Sequence, residues 1–250
     1  MTRQTNNAMR ACGLLIAAAA VAILSSTARA EIIGGVDFPA GALSFADAVV
    51  SYTPAVDTPD PVTLVGQSPD ARWRNADDAL GAPNYTSPPS GAATHNLGQF
   101  VSLGNGGTLV VKFVDNALTG SGTASADLYV FEVGPVVEAS FVWISTNNVD
   151  WLYAGRIAGS TRGIDIDPVL AAASLATTTM FQYVAIQDDR FDYPAAGMYG
   201  FYAGADIDAI GAISSVPVVP VPEPATLALL TLGGALVLFN RRNRKIRSSK

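Results

Sequence analysis

Cysteine is nearly missing from this 250-residue chain: the only one, Cys12, falls in an N-terminal apolar run. A body without cysteine has no disulfide, no thiol nucleophile and no Cys-based metal site. Histidine is as scarce, with His95 alone in a loop of Thr, Pro and Gly, where it reads as an exposed side chain. No Gly-x-Ser-x-Gly elbow, His-Glu-x-x-His pair or phosphate loop occurs, which removes support for hydrolases of those kinds. Basic residues are sparse in the middle. Between Glu31 and Val221 there are 6 Lys+Arg against 20 Asp+Glu, a net of −14, whereas the whole chain carries −6. So acidic a body repels nucleic-acid phosphates and suits divalent cations better. Internal repeats are absent, and no enzyme is expected on these grounds, although two carboxylates suffice for a glycosidase or lyase.

The charges that the body lacks sit at the ends. Arg3 and Arg10 precede an apolar stretch from Ala11 to Leu24, and Ala28-Arg29-Ala30 follows as a small-x-small cleavage site. Residues 1–30 read as a secretory signal helix that signal peptidase cuts between Ala30 and Glu31. Met9-Arg10-Ala11 does not supply the small apolar lead-in that lipidation at Cys12 needs.

From 31 to 215 the pattern is that of short strands separated by Gly, Pro, Asn and Asp clusters. The densest stretch is Ala126 to Trp151. Its runs Leu128–Val133 and Ser140–Ser145 read as a hairpin broken at Gly134-Pro135, with both faces covered. Trp151–Arg156 is expected to pair back. Leu109, Val111 and Phe113 alternate along Thr108–Val114, and Asn105-Gly106 predicts a hairpin with Phe100–Leu103. Ala46–Tyr52 reads as an edge strand, Phe181–Gln187 and Ala205–Ile213 as further strands, Val169–Leu175 as a short helix, and 75–84 as one helical turn. These elements predict an all-β fold, an antiparallel β-sandwich of jelly-roll type.

Residues 216–224 are proline-rich and read as an extended linker. Residues 225–239 form fifteen uncharged positions, a transmembrane helix somewhat short of the ~30 Å hydrocarbon core. The basic tail 240–250, with Arg241, Arg242, Arg244, Lys245 and Arg247, stays cytoplasmic by the positive-inside rule.

The order of Pro222-Glu223-Pro224, apolar run and basic cluster resembles the PEP-CTERM protein-sorting signal of Gram-negative bacteria. The resemblance implies a transient single-pass anchor in the inner membrane and processing by an exosortase. Delivery to the cell surface or the extracellular matrix follows, with exopolysaccharide or biofilm as the setting. The body is similar to PEP-CTERM surface proteins with a jelly-roll, galactose-binding-like fold. The matching pieces are Ala79-Leu80-Gly81, Val101–Gly104, Asp127–Glu132, Trp143-Ile144-Ser145 and Ala205–Ala209.

Two candidate sites follow from the residues themselves. Calcium prefers clustered carboxylate oxygens. Asp206 and Asp208 share one strand face about 7 Å apart, so with Asp127 they are the candidate ligands. Asp165-Ile166-Asp167 is a weaker version whose Pro168 suggests a turn. Glu132 shares the face of Leu128 and Val130 and calls for a partner, Arg156 or Lys112. Tyr193, Tyr199 and Tyr202 crowd a Gly/Pro loop at 190–204. They can stack on sugar rings, which makes a carbohydrate-binding module the second reading, or seal the end of the core.

Overall fold

Alternation along the strands decides which residues face inward. In the computed structural model, residues 29–55, 68–86, 97–133, 138–159, 162–191 and 204–218 are described. The early elements are β1 (Glu31–Ile33), β2 (Val36–Phe38), β3 (Ala48–Thr53), β4 (Val101–Ser102), β5 (Thr108–Lys112) and β6 (Asn116–Leu118). After them come β7 (Leu128–Glu132), β8 (Ser140–Ser145), β9 (Leu152–Ile157), β10 (Gly163–Ile164), α1 (Asp167–Ala172), β11 (Tyr183–Asp188), β12 (Asp206–Ala212) and β13 (Ser215–Pro217). The β-rich reading holds, with one short α-helix and three 3-10 turns among the described residues. The turn at Ala76–Ala79 lies inside the expected stretch 75–84, and the helix at Asp167–Ala172 starts two residues and ends three residues before the expected one.

Nine of these strands form two antiparallel sheets, in the orders β10-β7-β12-β4 and β3-β5-β11-β8-β9. Their inner faces share one core. Val101, Leu128, Val130, Ile207 and Ile210 come from the first sheet, and Leu109, Val111, Val142, Ile144, Val184 and Ile186 from the second. Each large side chain in it contributes ~1.5–3 kcal/mol by leaving water. β3 is the edge strand expected, and β9 pairs with β8.

Two expected hairpins are not made. β7 and β8 lie in different sheets and do not pair with each other, and Gly134-Pro135 lies outside the described residues. The Asn105-Gly106 turn likewise joins strands of different sheets, β4 and β5, and is closed by the Gly107 amide on the Gly104 carbonyl (3.0 Å). β8 is also covered on one face only: Val142 and Ile144 are buried while Phe141 and Trp143 are half-exposed.

β12 is buried along its whole length because both of its faces are covered. Ile207, Ile210 and Ala212 face the sandwich core, whereas Ala209 packs in a second cluster with Phe38, Phe45 and Phe131. The change of parity between Ile207 and Ile210 is produced by a bulge, where Ile207 pairs with Glu132 and Ala209 with Phe131, leaving Asp208 unopposed.

The signal segment up to residue 28, the sorting tripeptide at 222–224 and the apolar segment 225–239 lie outside the described residues. Among the described residues no helix is long and apolar enough to cross a membrane.

Candidate functional site

Acidic side chains gather at the two ends of the β7–β12 pair. Because these strands are antiparallel, with Ala212 opposite Leu128 and Ile207 opposite Glu132, Asp127 stands at one end and Asp206 at the other. At a rise of ~3.3 Å per residue the two ends are separated by well over 10 Å. The structure therefore does not bring Asp127 together with Asp206 and Asp208. Nor do Asp206 and Asp208 share partners, since the bulge gives each its own. The Asp206 carboxylate accepts the Ser102 hydroxyl. Asp208 accepts the backbone amides of Asn84 (3.0 Å) and Tyr85 (3.2 Å).

The end at Asp206 is a set of loop clamps. Asp188 accepts the amides of Gly106 (2.8 Å) and Ala205 (2.8 Å), which ties the 104–107 turn to the start of β12. Asp189 accepts the Phe191 amide (3.2 Å) and pairs with Arg156 (2.9 Å). Phe191 and Ala205, on either side of the segment holding Tyr193, Tyr199 and Tyr202, are thus held by the consecutive acids Asp189 and Asp188 at the end of β11. Those tyrosines themselves, and His95, lie outside the described residues. Tyr52 donates to the Ser102 carbonyl (2.6 Å), and burial pushes its phenol up to about 12, eased by Arg74.

Glu132 sits at the centre of this end and is fully buried. Its Oε1 accepts the Asp206 amide at 3.4 Å, and the Glu138 carboxyl is a further hydrogen-bonding neighbour. The cations anticipated for it are engaged elsewhere: Arg156 on Asp189, and Lys112 over the Tyr183 ring at 5.4 Å. Burial foremost, then the Glu138 charge and hydrogen bond and the Asp206 charge, raise its carboxyl to about 10. Asp206 is raised in the same direction, again chiefly by burial. Both shifts favour the neutral form of the carboxyl, in Glu132 as in Asp206.

The opposite end is built by three segments. Asp127 enters β7 and is held by its backbone: its amide donates to Ile164 O (2.8 Å), and its carbonyl accepts Ile213 N (2.7 Å) and Ser214 N (3.1 Å). Its side chain is fully buried, with Oδ2 accepting the Ile166 amide (3.0 Å) and Oδ1 without a partner. Burial raises the Asp127 carboxyl, and the Ile166 amide and Ser121 oppose that rise. Asp165 accepts the Asp167 amide (3.0 Å), the turn that the sequence suggested before Pro168. One carboxylate oxygen from each of Asp127, Asp165 and Asp167 lies within 4.8 Å of the other two. No pattern within a single strand connects residues so far apart in sequence; what signal there was lay in the paired spacing of Asp165 and Asp167.

A second feature went unread. Phe141, Trp143 and Tyr153 form a mutual ring cluster on the outer side of β8 and β9, with centroids 6.0, 6.3 and 5.7 Å apart. The alternation of Phe141 and Trp143 with buried Val142 and Ile144 is the signal that marks them as outward-facing.

No curated protein matches this chain in sequence. Among solved structures, the C-terminal domain of a chitobiase from Bacteroides fragilis aligns over 69% of this chain and 95% of its own, at 9% identity and a TM-score of 0.32. That likeness is too loose to carry an argument about fold or ligand. What the chain does share with a known family lies at its C-terminus, where residues 220–245 match the PEP-CTERM protein-sorting motif.

Proposed function

We propose that this is an exported, non-enzymatic protein of the cell surface or extracellular matrix. Its acidic β-rich body is delivered by an exosortase-type system and works among exopolysaccharide. The observation that carries the reading is the sorting motif at 220–245, which points to exosortase-dependent export. The signal-type N-terminus and the net −14 of the body support it, since an acidic body stays soluble among anionic polymers. Replacing Pro222, Glu223 and Pro224 together by alanine is expected to leave the chain uncut in the inner membrane, whereas the unaltered chain reaches the medium or cell surface. Fractionation of the native host with an antibody to the body checks this; equal surface delivery of both chains contradicts it.

The aromatic cluster Phe141–Trp143–Tyr153 favours a second reading, a carbohydrate-binding module. Half-exposed rings in a row on a sheet face stack on sugar rings, and Tyr153 is 49% exposed. Under this reading Trp143→Ala abolishes retention of the protein on the host's own polysaccharide in a pull-down, and Tyr153→Ala weakens it. Unchanged retention of both variants removes the reading.

A further inference from the structure

We propose that Asp127, Asp165 and Asp167 are ligands of a calcium ion that ties the start of β7 to the β10–α1 connection and to the loop at Gly120. The proposal does not rest on the sorting reading.

Three observations converge on it. The first is geometric. Calcium takes its oxygen ligands at ~2.3–2.6 Å, so oxygens on opposite sides of one ion stand about 5 Å apart. The three carboxylates present one oxygen each within 4.8 Å of one another. The second is an orphaned acceptor. Asp127 is fully buried, yet its Oδ1 has no donor, and neither oxygen of Asp167 has one. Buried acceptors are left bare in this way where something other than a protein donor fills them. None of the three acids forms an ion pair with a Lys or Arg among the described residues. The third is the enclosure. The loop at residue 120 comes so close that a Cβ on Gly120 would stand 2.0 Å from Asp167 Oδ1. That loop is held by the Gly120 amide on Thr177 O (2.8 Å). The Gly120 backbone therefore closes one side of the site, where carbonyls and waters can complete the shell.

A hard cation accounts for all of this at once, because it supplies the missing partner for Asp127 Oδ1 and cancels the repulsion among three converging carboxylates. Calcium is favoured over magnesium because the donors come from the entry to β7, the β10–α1 connection and the first turn of α1, not from one rigid element. Calcium accepts six to eight oxygens in flexible geometry, whereas magnesium demands a near-ideal octahedron. The acids at the far end of β7 form no comparable trio. Asp188 and Asp208 there are spent on backbone amides, and Asp206 on Ser102.

The test uses the full chain in detergent, stripped with EDTA and titrated with calcium chloride alone, then with magnesium chloride. One calcium per chain is expected by calorimetry. At a hundredfold excess over the dissociation constant, the melting temperature should rise by ~5–10 °C, with magnesium much weaker. Asp165→Asn and Asp167→Asn, which keep size and are less buried than Asp127, should melt in EDTA near the unaltered chain yet bind calcium at least about tenfold more weakly. Asp127→Asn should abolish binding if it folds; the proposal does not depend on that variant. Coincident melting curves of the unaltered chain in EDTA and in millimolar calcium overturn the site. So does full calcium affinity in Asp165→Asn and Asp167→Asn.

Discussion

In EDTA the protein is expected to lose stability as pH rises from 5 to 8, and Glu132→Gln is expected to remove much of that loss. The cause is the buried carboxyl of Glu132, raised from its ordinary 4.5 to about 10 by burial first and by its acidic neighbours second. The sign follows from proton counting. Below pH 4.5 both folded and unfolded chains hold the proton, and the stability associated with it is fully present. Above that, the unfolded chain releases the proton while the folded chain keeps it, and stability falls until the folded carboxyl titrates near 10. One retained proton corresponds to ~1.4 kcal/mol per pH unit. Asp206 adds to the same slope, because its carboxyl is also raised. Asp70, lowered by its Arg72 contacts, acts in the opposite direction, but this pair lies at the surface and is screened by solvent, so it weighs little. Glutamine reproduces the shape of the neutral acid and does not ionise. The variant should therefore match the unaltered chain near pH 4.5 and exceed it by ~2 kcal/mol or more at pH 8. Chemical denaturation across that pH range measures this, and parallel curves for the two chains would show that Glu132 is charged in the folded state.

Phe45→Ala is expected to be the most damaging single truncation on the outer face of the β7–β12 sheet. Phe45 is 1% exposed and meets Phe38 at 4.7 Å and Phe131 at 6.0 Å between ring centroids. It is seated by a bridge to Gly211, and the following amide, Ala46 N, donates to Ile210 O (3.0 Å). The ring is thus a lid that buries the back of the bulged strand, and its removal leaves a cavity that the paired backbone cannot close. A loss of ~3–5 kcal/mol follows, lowering the melting temperature by ~6–20 °C in a body of this size. Gly211→Ala probes the same contact from below. A Cβ there would fall 2.6 Å from the Phe38 ring and 2.9 Å from that of Phe45. Alone it should cost ~1–3 kcal/mol by overpacking. Combined with Phe45→Ala it should cost less than the sum of the two, because the added methyl enters the space that the ring vacates. Strict additivity would mean that Phe45 and Gly211 do not share that space.

These two sites also show how far the sequence could be read. The alternation of Leu109, Val111 and Phe113 marks the inner face of β5 and of the residue that follows it without any tertiary information, and all three are fully buried. Glu132 stood out because it shares a parity with Leu128 and Val130, and it is indeed buried. Its partner was not legible. The local pattern says that a carboxyl is inside, but not that its neighbours are acids from 138 and 206 instead of a cation. Strand pairing failed for a similar reason. β7 and β8 have the same apolar character and a Gly-Pro between them, which is compatible with a reversal in one sheet or a crossing to the next. Only the long-range partners β12 and β11 decide between these. The face shared by Asp206 and Asp208 was derived from strict period two, and the bulge at Asp208 breaks that period. The trio Asp127, Asp165 and Asp167 joins segments about 39 residues apart, as the Asp127–Ile166 hydrogen bond shows, and no local periodicity reports such an approach.

The C-terminal end of the chain reads more plainly than its middle, because a sorting motif is recognised as linear sequence. The most direct measurement of the account is the intact mass of the protein recovered from outside the cells of its native host. The expected species begins at Glu31 and ends near Pro222–Pro224, without the apolar segment 225–239 or the basic tail. Recovery of a full-length chain, with residue 1 and the tail to Lys250 both present and no surface form detectable, would contradict it.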